Sequence, residues 1–311
     1  MSKRTPKSWR IFTISSMLLS IVTLNYKKKE LTLDCVDSLV QQFVKEFSED
    51  KMELIIVDND SQDDSVSVMR AAIKDKQYKN VQVIAHPSNA GFGAGCNVGA
   101  AVATGDYILF LNNDTVVQDS GIWNMVQYLH AHPDIAILGG KLHNADGSVQ
   151  ASSGNFYTLW YATLLLFGGQ KFGPLDKSPT SIQKVDWVKG ALLLIRRKAF
   201  EELGGFDEKI FMYTEDMELC YRAHMAGKRI YFYPDVQIVH KEHGSANRTF
   251  AIVNIYKNLL YFYKKHRSPT EYRILKTLMQ AKAMFVIGIG KLLGKSELVA
   301  TYQSALAAIT T

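Results

Sequence analysis

Apolar positions in the first third of the chain switch repeatedly between a run and a helical period. Residues 19–24 are a short apolar run closed by Asn25, which predicts a buried strand. From 31 to 47, Leu33, Val36, Leu39, Val40, Phe43, Val44 and Phe47 recur at helical spacing. Residues 54–57 are wholly apolar and end at Asp58, the pattern of a parallel strand buried on both faces. A helix over 66–73, a strand over 81–85, a small-residue helix over 96–103 and a strand over 107–111 follow, the last ending at Asn112-Asn113-Asp114. Repeated strand–helix–strand units predict an α/β fold, a mostly parallel sheet flanked by helices on both faces. Such sheets bind ligands at the carboxyl ends of their strands, where Asp58 and Asp114 fall.

The second half is less regular. Residues 135–138, 185–196, 230–233 and 236–240 have strand character, and 142–182 form a long irregular insert. The lipophilic run 159–167 inside it suits either core or an exposed binding surface. Beyond residue 250 the pattern is helical and basic, with amphipathic stretches from Tyr256 to Arg267 and over 275–293. The expected organisation is an extension over 1–18, an α/β domain over 19–250 and a helical tail over 251–311. Residues 11–24 resemble a signal peptide, but the run is short for a membrane span and no small-residue cleavage site follows. Met17 is therefore a candidate start, and no spanning helix is expected.

Composition narrows the class. With 47% hydrophobic and 21% charged residues, the chain has ample core material. Cys35, Cys96 and Cys220 lie far apart, which favours reduced, buried thiols in a cytosolic protein over disulfides or a zinc knuckle. The net charge of +6 is concentrated at the two ends, leaving a mildly acidic body. That distribution argues against a nucleic-acid partner. Basic ends interleaved with aromatic residues suit an anionic membrane surface, with a solvated tail as the alternative.

Four sites carry candidate chemistry. Glu215-Asp216 follow Gly204-Gly205-Phe206-Asp207 and open an amphipathic segment. Adjacent carboxylates repel, so one should titrate high, and the pair suits removal of a proton from a hydroxyl. Asp58, with Asn59 and Ser61, could accept the N3–H of uracil or thymine, or cap a helix. The glycine-rich 89–99 stretch could bring backbone N–H groups to phosphate. It fails the dinucleotide spacing, because Cys96 or Val98 stands where the third glycine is needed, and no Gly-Lys-Ser/Thr adjoins it. Asp114 could hold Mn2+ or Mg2+ against a diphosphate, with His240 as a further ligand that favours Mn2+ and His243 as its competitor.

Taken in order, S-I-V-T-L-N-Y, I-V-D-N-D-S, N-A-G-F-G-A-G-C-N, Y-I-L-F-L-N-N-D, V-D-W-V-K-G-A, G-G-F-D-E, F-M-Y-T-E-D-M-E-L-C-Y-R and a final I-V-H resemble the family-2 inverting glycosyltransferases of GT-A fold. The resemblance is closest to the rhamnosyltransferase-like branch that acts on polyprenyl-linked acceptors, and it runs from about residue 20 to residue 247. It implies that Thr23, Asn25, Asp58 and Asn59 line the base and ribose, and that Asn89, Gly91, Gly93, Asn97 and Asn113 flank the nucleotide-sugar. Asp114 matches the last acid of an Asp-x-Asp motif in which Asn112 replaces the first, and His240 matches a metal ligand. Asp216 matches the catalytic base, beside which Glu215 either tunes the base or holds the acceptor, and Trp187, Gly190 and Ala191 match a loop near the acceptor. The expected reaction moves rhamnose from dTDP-rhamnose to a lipid-linked or growing polysaccharide acceptor, at the cytoplasmic face of the plasma membrane. A UDP-hexose or UDP-galactofuranose donor, or a catalytically silent scaffold, are the alternatives. A sugar-1-phosphate nucleotidyltransferase would need glycine in the loop after the first strand, where Asn25-Tyr26-Lys27-Lys28-Lys29 stands.

Overall fold

The computed structural model describes residues 19–167, 176–241 and 248–310. The 1–18 extension, Met17 and His243 lie outside them. In chain order the elements are β1 (Leu19–Asn25), α1 (Lys29–Gln42), α2 (Val44–Ser48), β2 (Met52–Asn59), α3 (Ser65–Asp75), β3 (Val81–His86), α4 (Phe92–Val102), β4 (Tyr107–Leu111), β5 (Thr115–Val117), α5 (Gly121–Ala131) and β6 (Ile135–His143). Then come β7 (Val149–Gln150), β8 (Ser153–Gly154), α6 (Leu159–Leu166), β9 (Asp176–Lys177), β10 (Gln183–Lys184), β11 (Trp187–Val188), β12 (Leu192–Arg196), α7 (Arg197–Glu202), α8 (Glu215–Met225), β13 (Arg229–His240), α9 (Arg248–His266), α10 (Pro269–Leu292) and α11 (Ser296–Thr310).

The main sheet runs β10-β13-β6-β12-β4-β1-β2-β3. Strands β1 to β4 are mutually parallel, as their apolar runs predict. Both faces of these strands are covered: on β1, Ile21 enters one hydrophobic cluster and Val22 the other. The second half departs from a purely parallel sheet, because β12 runs antiparallel to both β4 and β6, while β13 returns parallel to β6. The expected strand over 185–196 divides into β11 and β12, with Lys189, Gly190 and Ala191 turned out between them. The two strands expected over 230–240 are one strand, irregular between Tyr233 and Ile238, where Pro234 has no N–H to give the ladder. Three free, buried cysteines fit the expectation of thiols used as core.

Two expectations need correction. The glycines of α4 serve packing: a Cβ on Gly95 would lie 2.5 Å from Leu24, and one on Gly99 2.5 Å from Val22, so their absence lets the helix sit against the sheet. The aromatic stripe from Tyr256 to Arg267 is also largely core. Tyr256, Leu259, Leu260, Phe262 and Tyr263 are buried in the same cluster as Leu275, Met279 and Ala283 of α10. The 159–167 run is divided, with Ala162 and Leu166 buried in α6 while Trp160 and Phe167 are exposed.

Gly91 joins α4 to the loop before α8. It has φ 99°, a Cβ there would meet the Phe211 carbonyl oxygen at 2.1 Å, and the next residue, Phe92, donates its N–H to that oxygen at 2.8 Å. Gly91→Ala should therefore cost about 2 kcal/mol or more beyond Gly147→Ala, because Gly147 shares a positive φ but has no atom near its missing Cβ. Urea denaturation of the two variants measures this, and equal midpoints would refute the packing role.

Candidate active site

A cleft of about 860 Å3 opens at the carboxyl ends of β1, β2 and β4 and runs under the start of α8. Asn59, Asn89, Gly91, Asn113, Asp114, Trp187, Gly190, Ala191, Glu215, Asp216 and His240 all line it. The structure thus gathers eleven of the sequence-selected residues, drawn from segments far apart in the chain.

One wall carries the acidic pair. Tyr213 and Thr214 both adopt positive φ, 70° and 79°, immediately before α8. Two consecutive left-handed residues other than glycine are strained by about 1–3 kcal/mol each. Asn258 of α9 offsets this by donating its side-chain amide to the carbonyls of Met212 (2.7 Å) and Tyr213 (3.0 Å). Behind the pair, fully buried Glu218 accepts from Arg222, Lys265 and His266. Burial alone would raise the Glu218 carboxyl, but His266, Arg222 and Lys265 overcome it and hold it at about 2.

The two carboxylates in front differ in their partners. Asp216 Oδ2 accepts from the Gly190 N–H at 2.8 Å and Oδ1 from the Met217 N–H at 2.7 Å. Burial raises its pKa, opposed by those two N–H groups and the positive charge of Lys189. Glu215 is 7% exposed, and its buried Oε2 has no hydrogen-bond partner among the described residues. Burial first, and repulsion from Asp216 second, push its pKa up. Both members of the pair are raised, and the groups that oppose the rise are more numerous at Asp216 than at Glu215.

The other wall carries Asp114 and His240. His240 Nε2 lies 3.2 Å from Asp114 Oδ1 and 3.0 Å from Asn112 Nδ2, while Nδ1 lies 2.7 Å from Gln150 Oε1. His240 Nε2 and Asp114 Oδ1 are close enough for one divalent ion to take a lone pair from each, so the donor set fits such an ion. Among the described residues no cluster of three or more His, Cys, Asp or Glu side chains could hold a metal. The remaining ligands would come from substrate oxygens and water.

Five selected residues stand off the cleft. Thr23 and Asn25 are fully buried, and Asp58 is 3% exposed. Asp58 accepts from Asn25 Nδ2 (2.7 Å), Ser61 Oγ (2.6 Å) and Ser61 N (3.0 Å), which closes the loop after β2. Gly93 sits under Phe206, and Asn97 exchanges hydrogen bonds with the Phe206 backbone at 2.9 and 2.8 Å. All five sit behind the residues that line the cleft. Three residues escaped selection. Lys189 lay inside the V-D-W-V-K-G-A motif, Asn258 was a lone amide within an aromatic run, and Gln150 gave no signal.

The mixed α/β sheet, with an acid-lined cleft at its strand ends, has the architecture of the GT-A fold. The sequence profile described as "Glycosyl transferase family 2" matches residues 20–204, and the chain belongs to that family. It is 27% identical over 221 residues to the N-acetylglucosaminyl-diphospho-decaprenol L-rhamnosyltransferase of Mycobacterium tuberculosis, covering 65% of this chain and 70% of that protein. It is 30% identical over 173 residues to the rhamnosyltransferase WbbL of Escherichia coli, covering 51% and 64%. Among solved structures, the mannosyltransferase PcManGT of Pyrobaculum calidifontis, in complex with GDP-Man and Mn2+, superposes with a TM-score of 0.58 at 18% identity, over 98% of this chain and 79% of that one. GalNAc-T7 with UDP, GalNAc and Mn2+ gives 0.61 at 16% identity, over 80% and 48%. These two likenesses establish the fold.

The electrostatics make a stability prediction. A carboxyl raised in the folded state above its ordinary 4.5 favours the unfolded chain once pH passes that value, because the unfolded chain releases the proton first. Glu215→Gln should therefore melt higher than wild type at pH 7–8, with the gain vanishing near pH 4. Melting curves across that range test it; a difference independent of pH would mean Glu215 ionises as freely folded as unfolded.

Proposed function

We propose that this chain is an inverting glycosyltransferase that moves rhamnose from dTDP-rhamnose to a lipid-linked or growing cell-surface polysaccharide acceptor. The observation that carries the reading is the aim of Asp216: its Oδ2 is fixed by the Gly190 N–H in the same cleft that holds Asp114 and His240. Asp216 is the general base. The Gly190 and Met217 N–H groups and Lys189 favour its charged form, while Glu215 retains its proton. The acceptor hydroxyl gives its proton to Asp216 as its oxygen attacks the anomeric carbon, and the nucleoside diphosphate leaves from the opposite face. Asp114 and His240 would hold a divalent cation, whose chemistry there is to neutralise charge on the departing diphosphate. Asn59, Asn89, Gly91 and Asn113 flank the donor, and Trp187, Gly190 and Ala191 face the acceptor.

The donor assignment follows the rhamnosyltransferases among the relatives. The same geometry serves a UDP-sugar such as UDP-hexose or UDP-galactofuranose, and turnover assays with both donors separate the two. Asp216→Asn should lose about 10²–10⁴-fold in turnover while dTDP binding persists. Near-normal turnover would remove Asp216 from the role of base.

The membrane reading narrows to the exposed end of α10, within the 275–293 stretch. Met284, Phe285, Leu292 and Leu293 are 58–87% exposed beside the basic Lys291 and Lys295. An apolar patch rimmed with lysine suits an anionic bilayer surface, and among the described residues no helix is long and apolar enough to cross one. Phe285→Ser with Leu292→Ser and Leu293→Ser should markedly reduce flotation with phosphatidylglycerol vesicles. Flotation equal to wild type would place attachment elsewhere or nowhere.

A further inference from the structure

Gln150 lies in β7, outside every motif, yet it is 7% exposed and accepts on one side only from His240 and Lys189. It ends a hydrogen-bond chain whose direction can be worked out. The chain begins at Asp146, a carboxylate, which accepts from the Ser148 hydroxyl at 2.6 Å and the Ser148 N–H at 2.9 Å. With its single proton committed there, Ser148 Oγ accepts from Asn144 Nδ2 at 2.9 Å. Asn144 Oδ1 then faces Gln150 and accepts from its Nε2 at 2.8 Å. That leaves Gln150 Oε1, which only accepts, 2.7 Å from His240 Nδ1 and 3.4 Å from the Lys189 ammonium. Turning the Gln150 amide over would set its NH2 against a cation and its oxygen against Asn144 Oδ1.

We infer that Gln150 is a positioning residue that locks His240 in the Nδ1–H tautomer, so that Nε2 carries the lone pair facing Asp114. The polarity of the lock is imposed by Asp146 at the protein surface and relayed through Ser148 and Asn144. At the cleft end Asn112 Nδ2, 3.0 Å away, fits the same tautomer by donating to Nε2. An amide at position 112 therefore has a use that a carboxylate would not, because a second acid would face the lone pair with another acceptor. The cation-binding consequence rests on the reading of Asp114 and His240 as metal ligands; the tautomer does not.

Two measurements test this on the full chain. Long-range ¹H–¹⁵N correlation of metal-free protein, at a pH where His240 is neutral, reports which ring nitrogen bears hydrogen. Mn2+ affinity, read by electron paramagnetic resonance with dTDP present, reports the consequence. Wild type should show Nδ1–H. Gln150→Leu should give a mixture of tautomers and bind Mn2+ about 10–100-fold more weakly, with dTDP affinity in the absence of metal and melting temperature near wild type. Gln150→Glu keeps an acceptor on Nδ1, although its second oxygen loses the donation to Asn144, and should restore the Nδ1–H tautomer. A Gln150→Leu variant that keeps Nδ1–H and wild-type Mn2+ affinity would overturn the inference. If His240→Ala binds Mn2+ as wild type does, the metal reading fails instead, and the tautomer measurement still decides the role of Gln150.

Discussion

Two neighbouring carboxylates set under cover at the start of α8 are the constraint around which much of the molecule is arranged. A helix N-terminus favours negative charge, but burial works against Glu215 and Asp216 together. The helix is held in place by charge from behind: buried Glu218 binds Arg222 within α8 and both Lys265 and His266 from α9. The strained turn in front is held by Asn258 of the same α9. The loop leading to that turn is fixed from the side, where Gly91 lets α4 touch Phe211 backbone to backbone. Helix α9 is thus part of the acidic wall, and the change of sequence character near residue 250 does not mark where the site's support ends.

The first half of the fold was legible because parallel strands buried on both faces must be apolar throughout, and the intervening helices show their period plainly. Direction is invisible to periodicity. Leu192 to Arg196 reads the same whether β12 runs with or against β4, so the antiparallel insertion had no signature. The stretch from Tyr256 to Arg267 misled for a related reason: a helix that packs on a core and one that lies on a bilayer share the same amphipathic pattern. Only the partner differs, and the partner lies elsewhere in the chain. The exposed end of α10 keeps the membrane reading alive, on residues that the aromatic stripe had overshadowed.

At the site, residues that end strands or open helices were legible. Asp114, His240, Glu215 and Asp216 each follow or begin a strongly patterned element, and the fold brings them to one cleft. Glycine enrichment was ambiguous, because close approach to a phosphate and close approach to a sheet both require the absence of a Cβ. Gly95 and Gly99 belong to the second case, against Leu24 and Val22. Asp58 was ambiguous in the same way, since a strand-end acid can meet a ligand or close its own loop, and Ser61 and Asn25 take its oxygens. Gln150 was illegible in principle: it sits in a two-residue strand, and the direction of a hydrogen-bond chain is not a property of spacing.

Lys189 connects the two walls. Its positive charge lowers the pKa of Asp216, while its ammonium lies 3.4 Å from the Gln150 carbonyl that also receives His240 Nδ1–H. One cation thus favours an ionised carboxylate on the acceptor side and requires the oxygen, rather than the NH2, of Gln150 on the side of Asp114. The next two residues, Gly190 and Ala191, complete the turn: the Gly190 N–H fixes Asp216, and the Ala191 carbonyl accepts from the Asn112 N–H at 3.2 Å. The break between β11 and β12 is therefore more than an interrupted strand. Its three residues reach both halves of the cleft, so a shift of this turn would disturb the acidic pair and the Asn112–Asp114 segment together.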